Sequence, residues 1–335
     1  MSRPSPGETK LVLCVNHPFT LWRLPEELPA RIQQRWPAMK VVHLPNYDRL
    51  AEELADADIY VGFWARPEQF RDARKLRWVH ATAAGVSQLL HPEFVESDVV
   101  LTNARGVNAI PIGDHTLGVI LAFSRHLLSA WRHQREHRWA QQQIWDESPR
   151  PRELTGQSLL LVGLGALGRE IAARARGFGM RLLAVTRSGE DPEKLADQVF
   201  TADRLDEALG EADFVVLAAP ETPETRHLID ARRLRLMKPT AVLVNVARGT
   251  LVDEAALIET LRAGRIAGAA LDVAEREPLA ADSPLWDMEN VLITPHVANA
   301  SDRLWERQEA ILVENLERWF SGRELINVVD KRRGY

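Results

Sequence analysis

A two-domain α/β protein, each domain a parallel sheet wound with helices on both faces, is the fold this sequence predicts. Its 335 residues exceed what one hydrophobic core usually serves. Short apolar, β-rich runs alternate with helix-like stretches in two separate series, and a long helical stretch lies between the series. In the first series the runs 11–15, 41–44, 59–63, 78–81 and 99–102 read as strands, with a helix over 25–36. The helical stretch then runs unbroken from Pro111 to about Arg138, opened by a proline at an early helical position, and an irregular segment follows over 141–153. The second series holds strand 159–162, helix 166–176, strands 181–186, 214–218 and 241–246, helix 254–262, and strands 267–273 and 291–294. A last amphipathic helix over about 301–320 repeats Leu304, Ile311, Leu312, Leu316 and Trp319 at helical spacing, which predicts that it packs back on the first domain. The expected domains are 1–103 plus 300–335, and 104–299.

Apolar residues make up 45% and charged residues 27% of the chain, and no apolar run approaches the roughly 20 residues that cross a bilayer. A soluble protein without a membrane partner is expected. The first ten residues, MSRPSPGETK, hold no apolar segment of signal-peptide length, and the single cysteine, Cys14, excludes an intrachain disulfide. Both features point to a reducing, cytoplasmic setting, with Cys14 as a small core residue. The net charge of −5 argues against nucleic acid as a partner. The local basic run of Arg125, His126, Arg132, His133, Arg135, His137 and Arg138 carries Trp131 and Trp139 at helical spacing, so it reads as an amphipathic helix with a solvated or interface face.

Gly163-Leu164-Gly165-Ala166-Leu167-Gly168 follows a predicted strand and opens a predicted helix. That context is the one in which the G-x-G-x-x-G pattern binds a dinucleotide. Gly163 permits the tight turn, Gly165 lets the backbone approach a pyrophosphate, and Gly168 allows close packing of helix on strand, while the helix N-terminus presents N–H groups. Where NAD enzymes carry an acid for the ribose 2′-hydroxyl, the chain reads Thr186-Arg187-Ser188, with Arg187 lying 187 − 168 = 19 residues past the last glycine. A guanidinium and a hydroxyl suit a 2′-phosphate, which favours NADP(H) and leaves NAD possible.

Three further strand ends carry candidate chemistry: Asn245-Val246-Ala247-Arg248-Gly249, then Leu271-Asp272-Val273 with Glu277-Pro278, then Thr294-Pro295-His296. Open parallel sheets bind ligands at such carboxyl ends. Reducing a 2-oxo acid beside a nicotinamide requires a cation for the carboxylate, a proton donor for the developing alkoxide, and a group that keeps the donor protonated. Arg248, His296 and Glu277 supply these in turn. No metal-ligand pattern is evident.

Over about residues 50–330 the sequence resembles the D-isomer-specific 2-hydroxyacid dehydrogenases, a family that includes glyoxylate and hydroxypyruvate reductases and phosphoglycerate dehydrogenases. The likeness runs through the segments above and through His80-Ala81-Thr82-Ala83-Ala84-Gly85-Val86, Asn103-Ala104-Arg105-Gly106-Val107, Ala219-Pro220-Glu221-Thr222-Pro223-Glu224-Thr225 and Ser283-Pro284-Leu285-Trp286. It implies a flavodoxin-like substrate domain and a Rossmann cofactor domain. It also implies that Arg248 binds the substrate carboxylate and carbonyl, that His296 is the acid/base, and that Glu277 pairs with it. Backbone N–H groups at Ala84 and Gly85 would hold the carboxylate from the other domain. Pro220, Ala247 and Asp272 would line the nicotinamide, Asp272 at its carboxamide, and the resemblance adds Thr225 and Val246 to the cofactor-binding set of Gly163, Gly165, Ala166, Leu167, Gly168, Arg187 and Ser188.

Glu277 separates the chain from the formate dehydrogenases, which carry glutamine as the partner of the histidine. Only 335 − 296 = 39 residues follow His296, so simple catalysis without a regulatory C-terminal domain is expected. A homodimer built on the cofactor domains, with the 111–138 helix in its interface, is implied as well. The activity expected is reduction of glyoxylate, hydroxypyruvate or a relative, side-chain specificity resting on loops 61–66 and 81–86. Two alternatives stay open. One is an NAD-linked dehydrogenase of another 2-hydroxy acid; the other is a corepressor-like binding protein on the same fold, against which the compact acidic chain argues.

Overall fold

The computed structural model describes residues 5–334. They form two compact units, one from the chain up to Val107 together with the chain from Ala300 onward, the other from Asn108–Asn299.

The first unit is built on five strands: β1 (Lys10–Leu13), β2 (Lys40–His43), β3 (Ile59–Gly62), β4 (Trp78–Ala81) and β5 (Val100–Asn103). All pair in parallel, in the order β2-β1-β3-β4-β5. Parallel pairing needs crossovers, and the helices Leu28–Arg35, Leu50–Leu54, Pro67–Asp72 and Pro92–Val95 lie between successive strands. β1, β3 and β4 are buried at every residue, as strands covered on both faces must be. Alternate side chains divide between two cores. Leu11, Leu13, Ile59, Val61 and Trp78 pack with Leu28 and Ile32 on one face, and Val12, Cys14, Tyr60 and Val79 with Leu50, Leu54 and Phe94 on the other. Cys14 is a core residue whose thiol burial pushes up to about 12. The helix Leu304–Phe320 joins the first of these cores through Leu312, Leu316 and Trp319, and the Trp319 ring stacks on Trp78 with centroids 5.5 Å apart. The chain after this helix runs back along β5. Val328 bridges Thr102, and the Asn315 amide holds both the N–H and the carbonyl of Ile326, so the sheet edge is covered.

The second unit carries seven strands: β6 (Ser158–Val162), β7 (Arg181–Thr186), β8 (Gln198–Thr201), β9 (Phe214–Leu217), β10 (Val242–Asn245), β11 (Gly268–Leu271) and β12 (Val291–Ile293). The order is β12-β11-β10-β9-β6-β7-β8, again parallel throughout. Winding therefore reverses between β6 and β9. Helices Ala109–Ser124 and Ala166–Gly177 cover one face through Leu117, Ile120, Ile171 and Ala175; Leu205–Glu211, Ala231–Leu234 and Glu254–Arg262 cover the other through Leu209, Leu234, Leu257 and Leu261.

Three local expectations are corrected. The stretch 111–138 is not one helix but two, Ala109–Ser124 and Leu127–Arg135. The carbonyl of Ser124 accepts the N–H of Arg152, 2.8 Å away, and His126 turns left-handed with φ 54°, so the helical ladder stops there. Ser129 and His126 then both bond the Glu147 carboxylate, which fixes the restart. The segment expected to be irregular opens with a short helix, Gln141–Asp146. β8 was not expected, because QVFT at a sheet edge offers too short a run to show a period.

The packing of the last helix yields a prediction. Replacing Trp319 by alanine leaves a cavity under Trp78 and should cost about 3–5 kcal/mol, the range for a buried aromatic. Urea denaturation should show a lower midpoint for this variant, and an unchanged midpoint would mean that the helix is not part of the first unit's core.

Candidate active site

In the second unit every strand ends at the same edge of the sheet, and the loops leaving β6, β7, β9, β10, β11 and β12 there carry the residues singled out from sequence. The reversal of strand order between β6 and β9 opens the crevice in which such sheets hold ligands. Gly163 leaves β6 at φ 103°, and a Cβ on it would lie 2.9 Å from the backbone of Ala218 beyond β9, so only glycine lets the two strand ends meet. A Cβ on Gly168 would lie 2.2 Å from the Gly163 carbonyl oxygen, which is the close packing of helix on turn expected there. At Gly165 a Cβ would face open space. Gly165 is the N-cap of Ala166–Gly177 and offers no side chain to the first turn, so the N–H groups of that turn point outward uncapped. Ala166 and Leu167 are half-buried within it.

Arg187 and Ser188 follow β7 directly and are exposed. The Ser188 hydroxyl accepts the N–H of Glu190, which shapes the turn. Beyond β9, Pro220 is exposed, and the Thr225 hydroxyl donates to the Pro220 carbonyl at 2.8 Å while accepting the Thr222 N–H at 2.7 Å. Thr225 thus spends its hydroxyl on its own loop.

The turn after β10 is held by Asn245, buried at the strand end. Its side chain accepts the Ala247 N–H and donates to the Arg248 carbonyl at 2.8 Å. Val246 and Ala247 are buried, and Arg248 is half-buried with Nη1 donating to the Ala247 carbonyl at 2.7 Å. Sequence reasoning quoted Asn245 without assigning it a role, although an asparagine closing an apolar strand before a turn is a signal for this bond pattern. Gly249 comes next, where a Cβ would lie 1.9 Å from the carbonyl of Ala274, so the chain beyond β11 crosses directly over this turn.

That crossing carries Glu277 to His296. The His296 ring meets the Glu277 carboxylate through Nδ1 at 2.7 Å, leaving Nε2 on the far side of the ring from the acid. Burial raises the pKa of Glu277. The His296 hydrogen bond and charge, the Ala274 N–H and the Arg248 charge more than offset this, and leave its pKa below the usual glutamate value. Glu277 is therefore ionised through the neutral range, and as pH falls the pair is lost only below the ordinary glutamate range. His296 has φ 54°, with its N–H bonded to the carbonyl of Asp272 at 2.8 Å. The Asp272 carboxylate, 5% exposed, accepts the Thr294 hydroxyl at 2.6 Å and the N–H groups of Val297 and Ala298 at 3.0 and 3.1 Å. Both of its oxygens are bonded within this loop, Oδ2 by Ala298 alone. The structure thus brings Arg248, Glu277, His296 and Asp272 to adjacent strand ends. Ala84 and Gly85 belong to the first unit, where they follow β4. Ala84 gives its carbonyl to Asn103, and the N–H groups of Ala84 and Gly85 donate to no group among the described residues. Among the described residues no cluster of three or more histidine, cysteine or carboxylate side chains is placed to hold a metal ion.

Residues 117–298 match the family model described as D-isomer specific 2-hydroxyacid dehydrogenase, NAD binding domain. The chain belongs to the D-isomer specific 2-hydroxyacid dehydrogenases. This dehydrogenase is 36% identical over 294 residues to a glyoxylate reductase of Korarchaeum cryptofilum, covering 86% of this chain and 87% of the relative. Its structure resembles that of a D-isomer specific 2-hydroxyacid dehydrogenase from Xanthobacter autotrophicus in complex with NADPH and MES, with TM-score 0.83, 31% identity, and 98% and 100% of the two chains covered. It also resembles an NADPH-dependent glyoxylate/hydroxypyruvate reductase from Sinorhizobium meliloti in complex with NADP and sulfate, with TM-score 0.82, 28% identity, and 98% and 100% covered. The dehydrogenase is an NAD(P)-dependent oxidoreductase of 2-hydroxy acids. The open backbone at Gly165 and the uncapped helix behind it fit a dinucleotide's pyrophosphate. No helix of the described chain is long and apolar enough to cross a membrane.

The crossing at Gly249 can be tested in this dehydrogenase. A Gly249→Ala substitution places a methyl group inside the Ala274 backbone, so either Arg248 or the loop leading to Glu277 must move. Displacements of about 1 Å at a reacting centre cost on the order of a hundredfold. Turnover of a 2-oxo acid should fall by at least that factor in the alanine variant, and retained turnover would show that the two loops do not depend on their close approach.

Proposed function

We propose that this dehydrogenase reduces a small 2-oxo acid of the glyoxylate or hydroxypyruvate type with NADPH, using His296 as the proton donor. The observation that carries the reading is the 2.7 Å contact of His296 Nδ1 with Glu277, beside Arg248 at the neighbouring strand end. The reduced nicotinamide, when bound, supplies the hydride for the keto carbon. Arg248 supplies a fork of donors for the substrate carboxylate and carbonyl. The N–H groups of Ala84 and Gly85 are assigned to the same carboxylate. His296 donates from Nε2 to the developing alkoxide, and the Glu277 anion holds the imidazolium form until then.

For the cofactor, Gly163, Gly165, Ala166, Leu167 and Gly168 would cradle the pyrophosphate, and Arg187 with Ser188 would take the 2′-phosphate. Pro220, Val246, Ala247 and Asp272 would face the nicotinamide, with Thr225 acting by fixing the Pro220 turn. Asp272 retains acceptor capacity on Oδ2 for a carboxamide. A cytoplasmic homodimer completes the proposal. Cys14 is buried and free, and Trp131 and Trp139 are 58% and 94% exposed, apolar surface that a second copy would cover.

A panel of 2-oxo acids assayed by NADPH oxidation tests the activity. In that assay His296→Ala should lower kcat by roughly a hundredfold or more with little change in cofactor affinity. Glu277→Gln removes the anion that favours the protonated ring, so the pH profile for reduction should move to more acidic pH. A near-normal kcat in the first variant, or an alkaline or absent shift in the second, would overturn the acid assignment.

The coenzyme is a separate measurement. A charge-assisted hydrogen bond from Arg187 to a 2′-phosphate is worth about 1.5–3 kcal/mol, so kcat/KM should favour NADPH over NADH by roughly ten- to a hundredfold. Arg187→Ala should remove most of that ratio. Equal efficiency of the two coenzymes in the unsubstituted enzyme would show that the guanidinium does not read the phosphate.

A further inference from the structure

One side chain that no motif singled out reaches the loop of His296 from another element. His115 lies half-buried on the helix Ala109–Ser124, and its Nε2 is 3.2 Å from the Thr294 hydroxyl. Thr294 has one hydroxyl proton. Oδ1 of Asp272, 2.6 Å away, also accepts the Val297 and Ala298 N–H groups, so that oxygen takes the proton and has none to return. The hydroxyl oxygen must then accept from the imidazole, and His115 is the tautomer with its proton on Nε2. Burial pushes the pKa of His115 down against the pull of the Asp272 charge, which keeps a single N–H on the ring at neutral pH. The helix that carries it is anchored by Leu117 and Ile120 in the same core as Leu159, Ile171 and Val244. A donor on a packed helix therefore ends a chain of hydrogen bonds that begins at the backbone just after the proposed acid.

We infer that His115 is a positioning residue, which through Thr294 steadies the Asp272 carboxylate against the N–H groups of Val297 and Ala298 and so fixes the place of the His296 ring. Hydrogen bonds in series polarise one another, and an imidazole N–H on the threonine oxygen makes its hydroxyl a better donor to the carboxylate. The inference rests on His296 being the proton donor only for its effect on turnover. Its effect on the loop stands on the geometry alone.

Amide hydrogen exchange at Val297 and Ala298, read together with steady-state kinetics, tests it in the full chain. His115→Leu removes the donor, and His115→Gln returns an N–H at similar reach. Exchange at 297 and 298 should speed several-fold in the leucine variant and return toward the original rate in the glutamine variant. In parallel kcat should fall by roughly three- to tenfold and recover, the range a single neutral hydrogen bond supports. Thr294→Val breaks the chain at its middle, so adding His115→Leu to it should cost nothing further. Unchanged exchange in His115→Leu, no recovery in His115→Gln, or additive losses in the double variant would overturn the relay. Absence of 2-oxo acid reduction by the unsubstituted chain would instead overturn the function proposed above, while the exchange rates at 297 and 298 still decide the relay.

Discussion

A carboxylate placed out of water must have its oxygens bonded, since a buried unpaired charge costs several kcal/mol, and Asp272 imposes that requirement on the chemical edge of the second sheet. The donors available to it are the Thr294 hydroxyl and two consecutive backbone N–H groups, and all three can converge only if the chain after β12 curls back over the end of β11. The left-handed backbone of His296 is the residue-level consequence, because that turn has to be made between Thr294 and Val297. The strain of a non-glycine residue at positive φ is held by the bonds on either side of it, including the His296 N–H on the Asp272 carbonyl. Once the backbone is set in this way, the ring has few places to go, and Nδ1 meets Glu277.

Close approach of backbones does the remaining assembly. Gly163 lets the end of β6 touch Ala218 beyond β9, and Gly249 lets the loop after β11 cross the turn after β10. The first contact brings two backbones together at the base of the crevice where strand order reverses; the second brings the carboxylate of Glu277 within electrostatic range of Arg248. A side chain at either glycine would push these backbones apart. The same edge therefore depends on two absent methyl groups as much as on the charged residues beside them.

Much of this was legible because it is local. Continuous apolar runs such as LLLV in β6 and VLV in β10 report a sheet buried on both faces, and glycine spacing after β6 reports a turn that needs positive φ and a helix that must pack closely. The chemistry of the strand ends named Glu277 as support for His296, but their direct pairing had to come from resemblance, since they lie 19 positions apart and no period links them. What sequence did not show are bonds between distant elements. The helix break at His126 depends on Arg152 and Glu147, and the hold of His115 on Thr294 spans 179 positions. Thr225 and Asp272 were read outward, toward a ligand, whereas the structure bonds the threonine hydroxyl into its own loop and most of the carboxylate's capacity into the loop after β12. A polar residue at a strand end looks the same in sequence whether it faces a ligand or its own backbone.

One short segment after β11 thus carries two different forms of control over His296. Asp272, at the strand end, governs where the ring stands, through backbone bonds that do not depend on the state of the ring. Glu277, five residues on, faces the ring itself, and its lowered pKa keeps it charged through the neutral range. With His296 as the proposed acid, position and protonation are separable: a change in the support of Asp272 moves the ring without altering the Glu277 charge beside it, and a change at Glu277 alters that charge while the Asp272 bonds stay in place. On the proposed role of His296 the two effects differ in kind, the first in turnover at every pH and the second in the pH at which turnover changes. Because both residues follow the same buried strand, the ring of His296, the proposed acid, is held and charged by one continuous piece of chain.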